Sequence, residues 1–166
     1  MILISISISI LLLLTTLSCN ENDCCSEIPG NDIIYEFSIL DNSDRDLLNS
    51  EISVSFNTTD IRLYNYNEIK GDTTMIYNGN SDAPYGYVII ERDSIFRLRP
   101  FFDTSDKLEV KGYIKWNSQD IDTVELKLVQ QSTNIKRLTK IFYNGSEVWN
   151  EETSSNPEYR YFQIIK

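Results

Sequence analysis

The sequence predicts an all-β fold, an antiparallel β-sandwich that occupies residues 32–166. From Asp32 onward, apolar residues recur at every second position, which is the period of a strand with one buried face. The same runs are rich in Ile, Val, Tyr, Phe and Thr, side chains that favour a pleated, half-buried surface. No segment between the runs has a helical period, so we expect no helix longer than about two turns here.

Eleven runs are candidate strands, and turn-forming residues separate them. Intervals of roughly ten residues between short, two-faced strands favour two packed sheets over a closed barrel. The strongest turn signal is Asn144-Gly145, because both central residues of a type I′ turn need positive φ. The candidate strands are 32–40, 52–56, 61–67, 73–77, 85–91, 94–102, 107–116, 121–131, 135–143, 146–149 and 159–165.

Alternation also predicts which side chains of the two longest runs face the core. The run 107–116 has lysines at one parity and mainly apolar residues at the other, and 121–131 follows the same rule. A slip of one residue would reverse every assignment, because the side-chain period of a strand is two. The predicted core residues are Leu108, Val110, Gly112, Ile114, Trp116, Val124, Leu126 and Leu128.

The amino-acid composition excludes most common enzyme plans. The chain has no histidine, which removes the Ser-His-Asp and Cys-His arrangements and most zinc sites. Its six scattered glycines form neither a P-loop nor a dinucleotide-binding fingerprint. We therefore expect a domain without a cofactor and without one of these catalytic centres.

The charge balance argues against nucleic acid as a partner. The chain has 25 acidic and 15 basic residues, for a net charge of −10. Residues 1–18 contain no charged side chain, so the rest of the chain keeps the whole excess. Phosphate binding depends on a concentrated basic surface, which this composition does not favour.

The N-terminal residues have the pattern of a signal peptide, which we place at 1–18. Residues 2–14 are apolar except for serines, a length typical of a signal-peptide core and too short for a membrane span of about 20 residues. Ser18 directly before Cys19 resembles the lipobox of bacterial lipoproteins, and the resemblance implies that Cys19 carries the lipid. The alternative is an ordinary secretory signal followed by a chance cysteine.

Residues 19–31 are predicted to form an acidic tether that ends at a Pro29-Gly30-Asn31 turn signal. The stretch NENDCCSE after the lipidation site resembles the surface-export signal of Bacteroidetes lipoproteins. It implies attachment to the outer membrane, facing the medium. Cys24 and Cys25 are adjacent, so they are either ordinary thiols or a strained vicinal disulfide.

One stretch of the domain resembles a known family. The segments EFSILDNSDRDLLNSE and DIRLYNY are similar to the opening of small uncharacterised surface lipoproteins of the Bacteroidetes. The resemblance covers mainly residues 36–67. It implies a prealbumin-like or immunoglobulin-like β-sandwich and no particular reaction.

Asp41, Asp44 and Asp46 crowd one short loop and are a candidate calcium site, because Ca²⁺ prefers clustered oxygen ligands. The loop lacks the EF-hand glycine and terminal glutamate. The alternative is that these side chains make the local backbone hydrogen bonds for which Asp is favoured in turns.

The candidate ligand-binding residues are four tyrosines in or beside strands: Tyr64, Tyr66, Tyr85 and Tyr87. Tyrosine combines an apolar ring with a polar tip, which suits glycans and protein partners alike. The alternative is core or cross-strand packing. Arg97 and Arg99 lie on one strand face, where they either bind an anion or form an ordinary solvated face.

Three functional hypotheses remain. The leading one is a non-catalytic, lipid-anchored binding or accessory module of the outer envelope, whose partner is a glycan or a protein. The second is a glycan hydrolase, because glycosidase chemistry needs only two facing carboxyl groups. The third is a structural or pilus-like subunit, for which an unpaired apolar edge strand is the expected feature.

Overall fold

The computed structural model describes residues 32–133, 135–157 and 159–166. The predicted signal peptide, Cys19, Cys24 and Cys25 lie outside the described residues. A 3-10 helix at Thr58–Asp60 is the one helix in these ranges, and no described helix is long and apolar enough to cross a membrane. The strands are β1 (Glu36–Leu40), β2 (Arg62–Asn67), β3 (Asp72–Met75), β4 (Tyr87–Arg92), β5 (Ile95–Pro100), β6 (Glu109–Lys115), β7 (Ile121–Ser132), β8 (Ile135–Tyr143), β9 (Ser146–Asn150) and β10 (Tyr161–Ile165).

The strands form two sheets that pack face to face, which confirms the predicted all-β sandwich. One sheet has the order β10-β1-β5-β4, and the other has the order β3-β2-β6-β7-β8-β9. All neighbours are antiparallel except β1 and β10, which run parallel. This parallel pair is the one exception to the predicted antiparallel pairing among the described strands. A tight hairpin forces two strands to be antiparallel, but β1 and β10 are far apart in the chain and no hairpin joins them.

The core lies between the two sheets and is rich in aromatic rings. The rings of Phe37 and Phe162 stack at 5.1 Å, and the Trp116 ring meets Phe37 edge-on at 6.4 Å. The alternation of β6 and β7 is confirmed for the inward-facing positions Val110, Gly112, Ile114, Trp116, Val124, Leu126 and Leu128. Leu108 is wrong as a core residue, since it is 47% exposed. Leu108 precedes β6, which begins at Glu109, and so lies outside the part of this sheet that packs against the core.

Gly112 of β6 is a close-packing site. The ring of Phe102 lies so near its backbone that a Cβ atom at Gly112 would be 2.2 Å from the ring. Both residues are buried in the core. The space that a side chain would occupy on this central strand is filled by the ring of Phe102.

The run 52–56 is wrong as a strand, because it forms successive turns and bends. The amides of Ile52 and Ser55 bond to carbonyls three residues earlier in the chain, which is turn geometry. Val54 is 44% exposed, whereas Phe56 stacks on Trp116 at 4.9 Å. The segment therefore contacts the core through Phe56 and leaves Val54 exposed, so its apolar alternation over five residues does not reflect a pleated strand.

The Asn144-Gly145 turn is confirmed between β8 and β9. Both residues have positive φ, 48° for Asn144 and 78° for Gly145. The Asn144 side chain also accepts a hydrogen bond from the amide of Thr123 at 2.8 Å. A side-chain hydrogen bond thus attaches the turn to β7, in addition to the strand pairing between β8 and β9.

Asp122 of β7 is a buried carboxylate that four side chains surround. It accepts hydrogen bonds from Trp116 Nε1 at 2.6 Å and from the Tyr143 hydroxyl at 2.5 Å. Asn144 Nδ2 donates to it at 2.6 Å, and Lys166 Nζ lies 2.5 Å away. Burial alone would raise the pKa of Asp122, but these donors outweigh it and hold the pKa below its ordinary value. Burial, followed by the neighbouring carboxylate, raises the pKa of Tyr143.

Candidate functional site

The outer face of the six-stranded sheet carries a group of tyrosines. Tyr64 of β2 lies directly opposite Tyr113 of β6, and the Tyr66 ring meets the Tyr113 ring edge-on at 6.1 Å. Met75, which is 44% exposed, lies opposite Tyr64 on β3. We call the surface formed by Tyr64, Tyr66, Tyr113 and Met75 the tyrosine face. The residues that alternate with it, such as Leu63 and Ile114, are fully buried.

Charged side chains flank the tyrosine face. Lys111 Nζ lies 3.0 Å from the Glu125 carboxylate on β7 and 6.0 Å from the centre of the Tyr66 ring. The hydrogen bond to Glu125 raises the pKa of Lys111, with burial opposing it. Apolar rings therefore stand beside fixed hydrogen-bonding groups on the same surface.

A groove of about 430 Å³ begins where the tyrosine face ends at Tyr66. This volume lies within the range of about 300–1,000 Å³ typical of ligand sites. Ile69 and Leu108 supply exposed apolar surface, at 99% and 47% exposure. The residues that line the groove are Tyr66, Asn67, Glu68, Ile69, Lys107, Leu108, Glu109 and Lys111. Leu108, which the pattern assigned to the core, is thus part of a surface groove.

The four predicted tyrosines do not form one site. Tyr64 and Tyr66 belong to the tyrosine face, whereas Tyr85 and Tyr87 line a second groove of about 500 Å³. The Arg62 guanidinium lies 4.0 Å above the Tyr85 ring. The Tyr87 hydroxyl donates to the carbonyl of Thr58 at 2.6 Å, and burial raises its pKa. Tyr87 therefore has the packing role that was the alternative to ligand binding, because its side chain contacts the core.

Sequence reasoning missed Tyr113 as a member of the site. The signal was present, because Tyr113 alternates with the buried residues of β6 and so had to face outward. What the sequence did not show is that β2 and β6 are neighbours. Only that pairing places Tyr113 between Tyr64 and Tyr66.

The acidic loop of Asp41, Asp44 and Asp46 has the turn chemistry that was the alternative to a calcium site. Asp41 accepts hydrogen bonds from the amides of Ser43 and Arg45, at 2.8 and 3.0 Å. Its pKa is lowered mainly by the hydrogen bond from the Arg45 side chain. Asp46 is buried and accepts from the backbone amides of Leu48 and Phe96, and Asp44 is exposed at positive φ. Within residues 32–133, 135–157 and 159–166, no group of three or more acids is arranged to hold a metal ion.

Arg97 and Arg99 of β5 do not form an ordinary solvated face. Both point toward Glu36 of β1, which is itself buried. Burial raises the pKa of Glu36, but hydrogen bonds from Arg99 and Arg92 outweigh this effect and the pKa is lowered. Arg97 is only 4% exposed, so this arginine is shielded from solvent.

Strand β4 is one of the two edge strands of the four-stranded sheet, the other being β10. It contains the apolar run Val88-Ile89-Ile90, and no described strand pairs with its outer side. The second groove, lined by Tyr85, Tyr87, Val88 and Ile89 among others, runs beside it. This is the feature that the structural-subunit hypothesis requires.

No protein-family model, curated protein or solved structure matches the chain.

Proposed function

We propose that the protein is a lipid-anchored module of the bacterial outer envelope that binds saccharides without transforming them. The observation that carries this proposal is the position of Tyr66, which belongs both to the tyrosine face and to the adjoining groove. An exposed apolar surface that continues into a concave site is typical of ligand binding.

The chemistry of this surface matches a sugar ring. A pyranose has an apolar face of C–H groups, which packs on an aromatic ring, and a rim of hydroxyls, which needs hydrogen-bonding partners. Tyr64, Tyr66 and Tyr113 supply the rings. Asn67, Glu68, Glu109 and Lys111 supply donors and acceptors in the groove. An extended oligosaccharide would lie along the face and enter the groove with one end.

We expect Tyr66→Ala to lower saccharide affinity at least tenfold, because it removes the ring shared by the face and the groove. A tenfold loss corresponds to about 1.4 kcal/mol of binding free energy. The measurement is a glycan-array screen of the full chain, followed by calorimetry with the best oligosaccharide. The matched control is Tyr85→Ala, since Tyr85 is a partly exposed tyrosine in the other groove. Equal affinity of the Tyr66→Ala and unaltered proteins would place binding elsewhere, and an array without hits favours a protein partner.

The outer-envelope location is supported by the apolar run 2–14 and by the small residue before Cys19. We expect metabolic labelling with an alkyne fatty acid to mark the unaltered protein and to leave Cys19→Ala unlabelled, because only a thiol at this position takes the diacylglyceryl group. The control is a Cys24→Ala, Cys25→Ala double variant, which keeps the label. Label that persists on Cys19→Ala contradicts the anchor.

The hydrolase alternative now has a specific pair of acids. Glu68 and Glu109 line the same groove as Tyr66, and the Glu109 carboxylate is ion-paired with Lys127 at 2.6 Å. Incubating the protein with its bound oligosaccharide decides between the two hypotheses. Release of shorter saccharides that Glu109→Gln abolishes would replace the binding proposal with catalysis.

Assembly through β4 is a second candidate function, and the unpaired apolar edge favours it. Strand addition would use the backbone groups of Val88, Ile89 and Ile90. Concentration-dependent association in sedimentation velocity, lost in Ile90→Pro, would support this function. A monomer at all concentrations rules out self-assembly.

A further inference from the structure

Three arginines converge on one glutamate at the outer face of the four-stranded sheet. Glu36 of β1 accepts from Arg99 Nη2 at 2.5 Å and from Arg92 Nε at 3.0 Å. Arg97 Nη1 lies 3.8 Å from the same carboxylate, which is an ion-pair distance but too long for a hydrogen bond. We call Arg92, Arg97 and Arg99 the arginine cluster.

Several hydrogen-bond donors of the arginine cluster have no acceptor among the described residues. Nε and Nη1 of Arg97 and Nε of Arg99 are buried and have no hydrogen-bond partner among the described residues. Buried polar groups are normally paired, and an unpaired charged donor is costly to bury. The arrangement therefore lacks acceptors.

The charges of the cluster are also unbalanced. Among residues 32–133, 135–157 and 159–166, the acids in direct contact are Glu36 and Asp93, and the side chain of Asp93 is 88% exposed. Three guanidinium groups thus face two carboxylates, one of them well solvated, in a chain with a net charge of −10. A local excess of positive charge on so acidic a protein is typical of a site that binds anions.

Aromatic rings fix the orientation of the innermost arginine. The Arg97 guanidinium lies 4.2 Å from the centre of the Tyr161 ring and 5.6 Å from that of Tyr159. The Tyr161 hydroxyl is in turn within 2.7 Å of Ser38 Oγ. Stacking on an aromatic face holds a guanidinium in place without neutralising its charge. The two rings therefore orient Arg97 without supplying an oxygen acceptor for its unpaired donors.

We propose that the arginine cluster binds an oxyanion, either a sulfate or a carboxylate group. Arg92 and Arg99 make the contacts, because their side chains are 46% and 24% exposed. Arg97, which is buried and lies 3.8 Å from the same carboxylate, adds electrostatic attraction. Guanidinium forks match the geometry of such oxyanions, which an acidic saccharide or a free inorganic anion would supply. This site is on the sheet opposite the tyrosine face and does not depend on saccharide binding there.

The test is calorimetric titration of the full chain with sodium sulfate at constant ionic strength, and in parallel with a sulfated oligosaccharide. We expect saturable sulfate binding that Arg99→Gln weakens at least tenfold. The matched control is Arg137→Gln, because Arg137 is also paired with one glutamate, Glu151, but lies on β8. Oligosaccharide affinity at least tenfold above that of sulfate identifies an acidic glycan as the source, whereas equal affinities identify the free anion.

Glu36→Gln separates ligand binding from a structural role. Because Glu36 competes with the ligand for Arg92 and Arg99, the proposal expects this variant to bind sulfate at least tenfold more tightly. A purely structural cluster would lose stability and gain no affinity. Arg97→Gln is avoided, since removing a buried arginine could prevent folding. The proposal fails if neither probe binds, or if Arg99→Gln and Arg137→Gln bind sulfate equally well.

Discussion

Replacing Asp122 with alanine is expected to destabilise the domain by about 3–5 kcal/mol, the usual cost of removing one partner from a buried charged pair. Four donors surround this carboxylate, and the Trp116 side chain among them is fully buried. Without Asp122 these donors lose their shared acceptor, while the donor groups of Trp116 and Tyr143 stay shielded from water. Denaturant unfolding followed by tryptophan fluorescence measures the change.

Asp120→Ala is the matched control for Asp122→Ala. Asp120 also pairs with Lys166, at 2.7 Å, but its side chain is 33% exposed and it is outside the buried network. We expect a loss of no more than about 1 kcal/mol, as for other surface ion pairs. Equal losses in the two variants would show that the network around Asp122 is not what stabilises this end of the sandwich.

Asp122 also predicts that the stability of the domain depends on pH. The pKa of Asp122 is lower in the folded protein than its ordinary value, so its contribution is fully present above the unfolded pKa of about 3.9. The contribution is lost as the pH falls through the lower folded value. In Asp122→Asn, stability between pH 7 and pH 2 is therefore expected to fall less steeply than in the unaltered protein. Parallel profiles would mean that other acids, such as Glu36, account for acid unfolding.

Gly112→Val is expected to destabilise the domain by about 3 kcal/mol, at the upper end of the range for overpacked cores. Even the first atom of a side chain at this position would be 2.2 Å from the Phe102 ring. Valine would add two methyl groups, and the ring is enclosed by the core. Thermal unfolding of the full chain, monitored by near-ultraviolet circular dichroism, would show the loss.

Phe102→Leu tests the cause of that loss. A smaller side chain at 102 vacates the space above β6, so we expect Gly112→Val to cost less in the Phe102→Leu background than alone. Gly145→Ala is a useful comparison, because a Cβ there meets nothing within 4 Å and only its positive φ is strained. Additive effects of the substitutions at 102 and 112 would mean that backbone strain, rather than the ring, excludes side chains from Gly112.

The two-layer fold was predictable because alternation over seven to twelve residues, as in β6 and β7, has no helical interpretation. The same rule failed for 52–56, where five alternating residues are too few to distinguish a strand from turns. Local hydrogen bonds form the turns instead: the Asn49 side chain accepts from the amide of Glu51, and the Asn49 carbonyl accepts from the amide of Ile52.

The candidate sites were less predictable, because each depends on contacts between distant strands. Alternation predicted Val124, Leu126 and Leu128 as the inward residues of this run and did not single out Asp122, whose donors Trp116, Tyr143 and Lys166 lie far from one another in the sequence. Arg97 and Arg99 were recognised as a pair on one face, yet the Glu36 and Tyr161 that bury them are on β1 and β10. Strand order, rather than the pattern within a strand, decides which of these residues meet.

The parallel pairing of β1 with β10 determines when the four-stranded sheet can be completed. Ser38 and Tyr161, which are 123 positions apart in the chain, lie within hydrogen-bonding distance of each other. Closing so long a loop costs chain entropy before the paired strands stabilise it. This cost slows folding, as in other proteins with high contact order. During synthesis the four-stranded sheet stays incomplete until residues 161–165 are available. The four-stranded sheet is therefore expected to be the last part of the domain to form during synthesis, after all strands of the six-stranded sheet have been made.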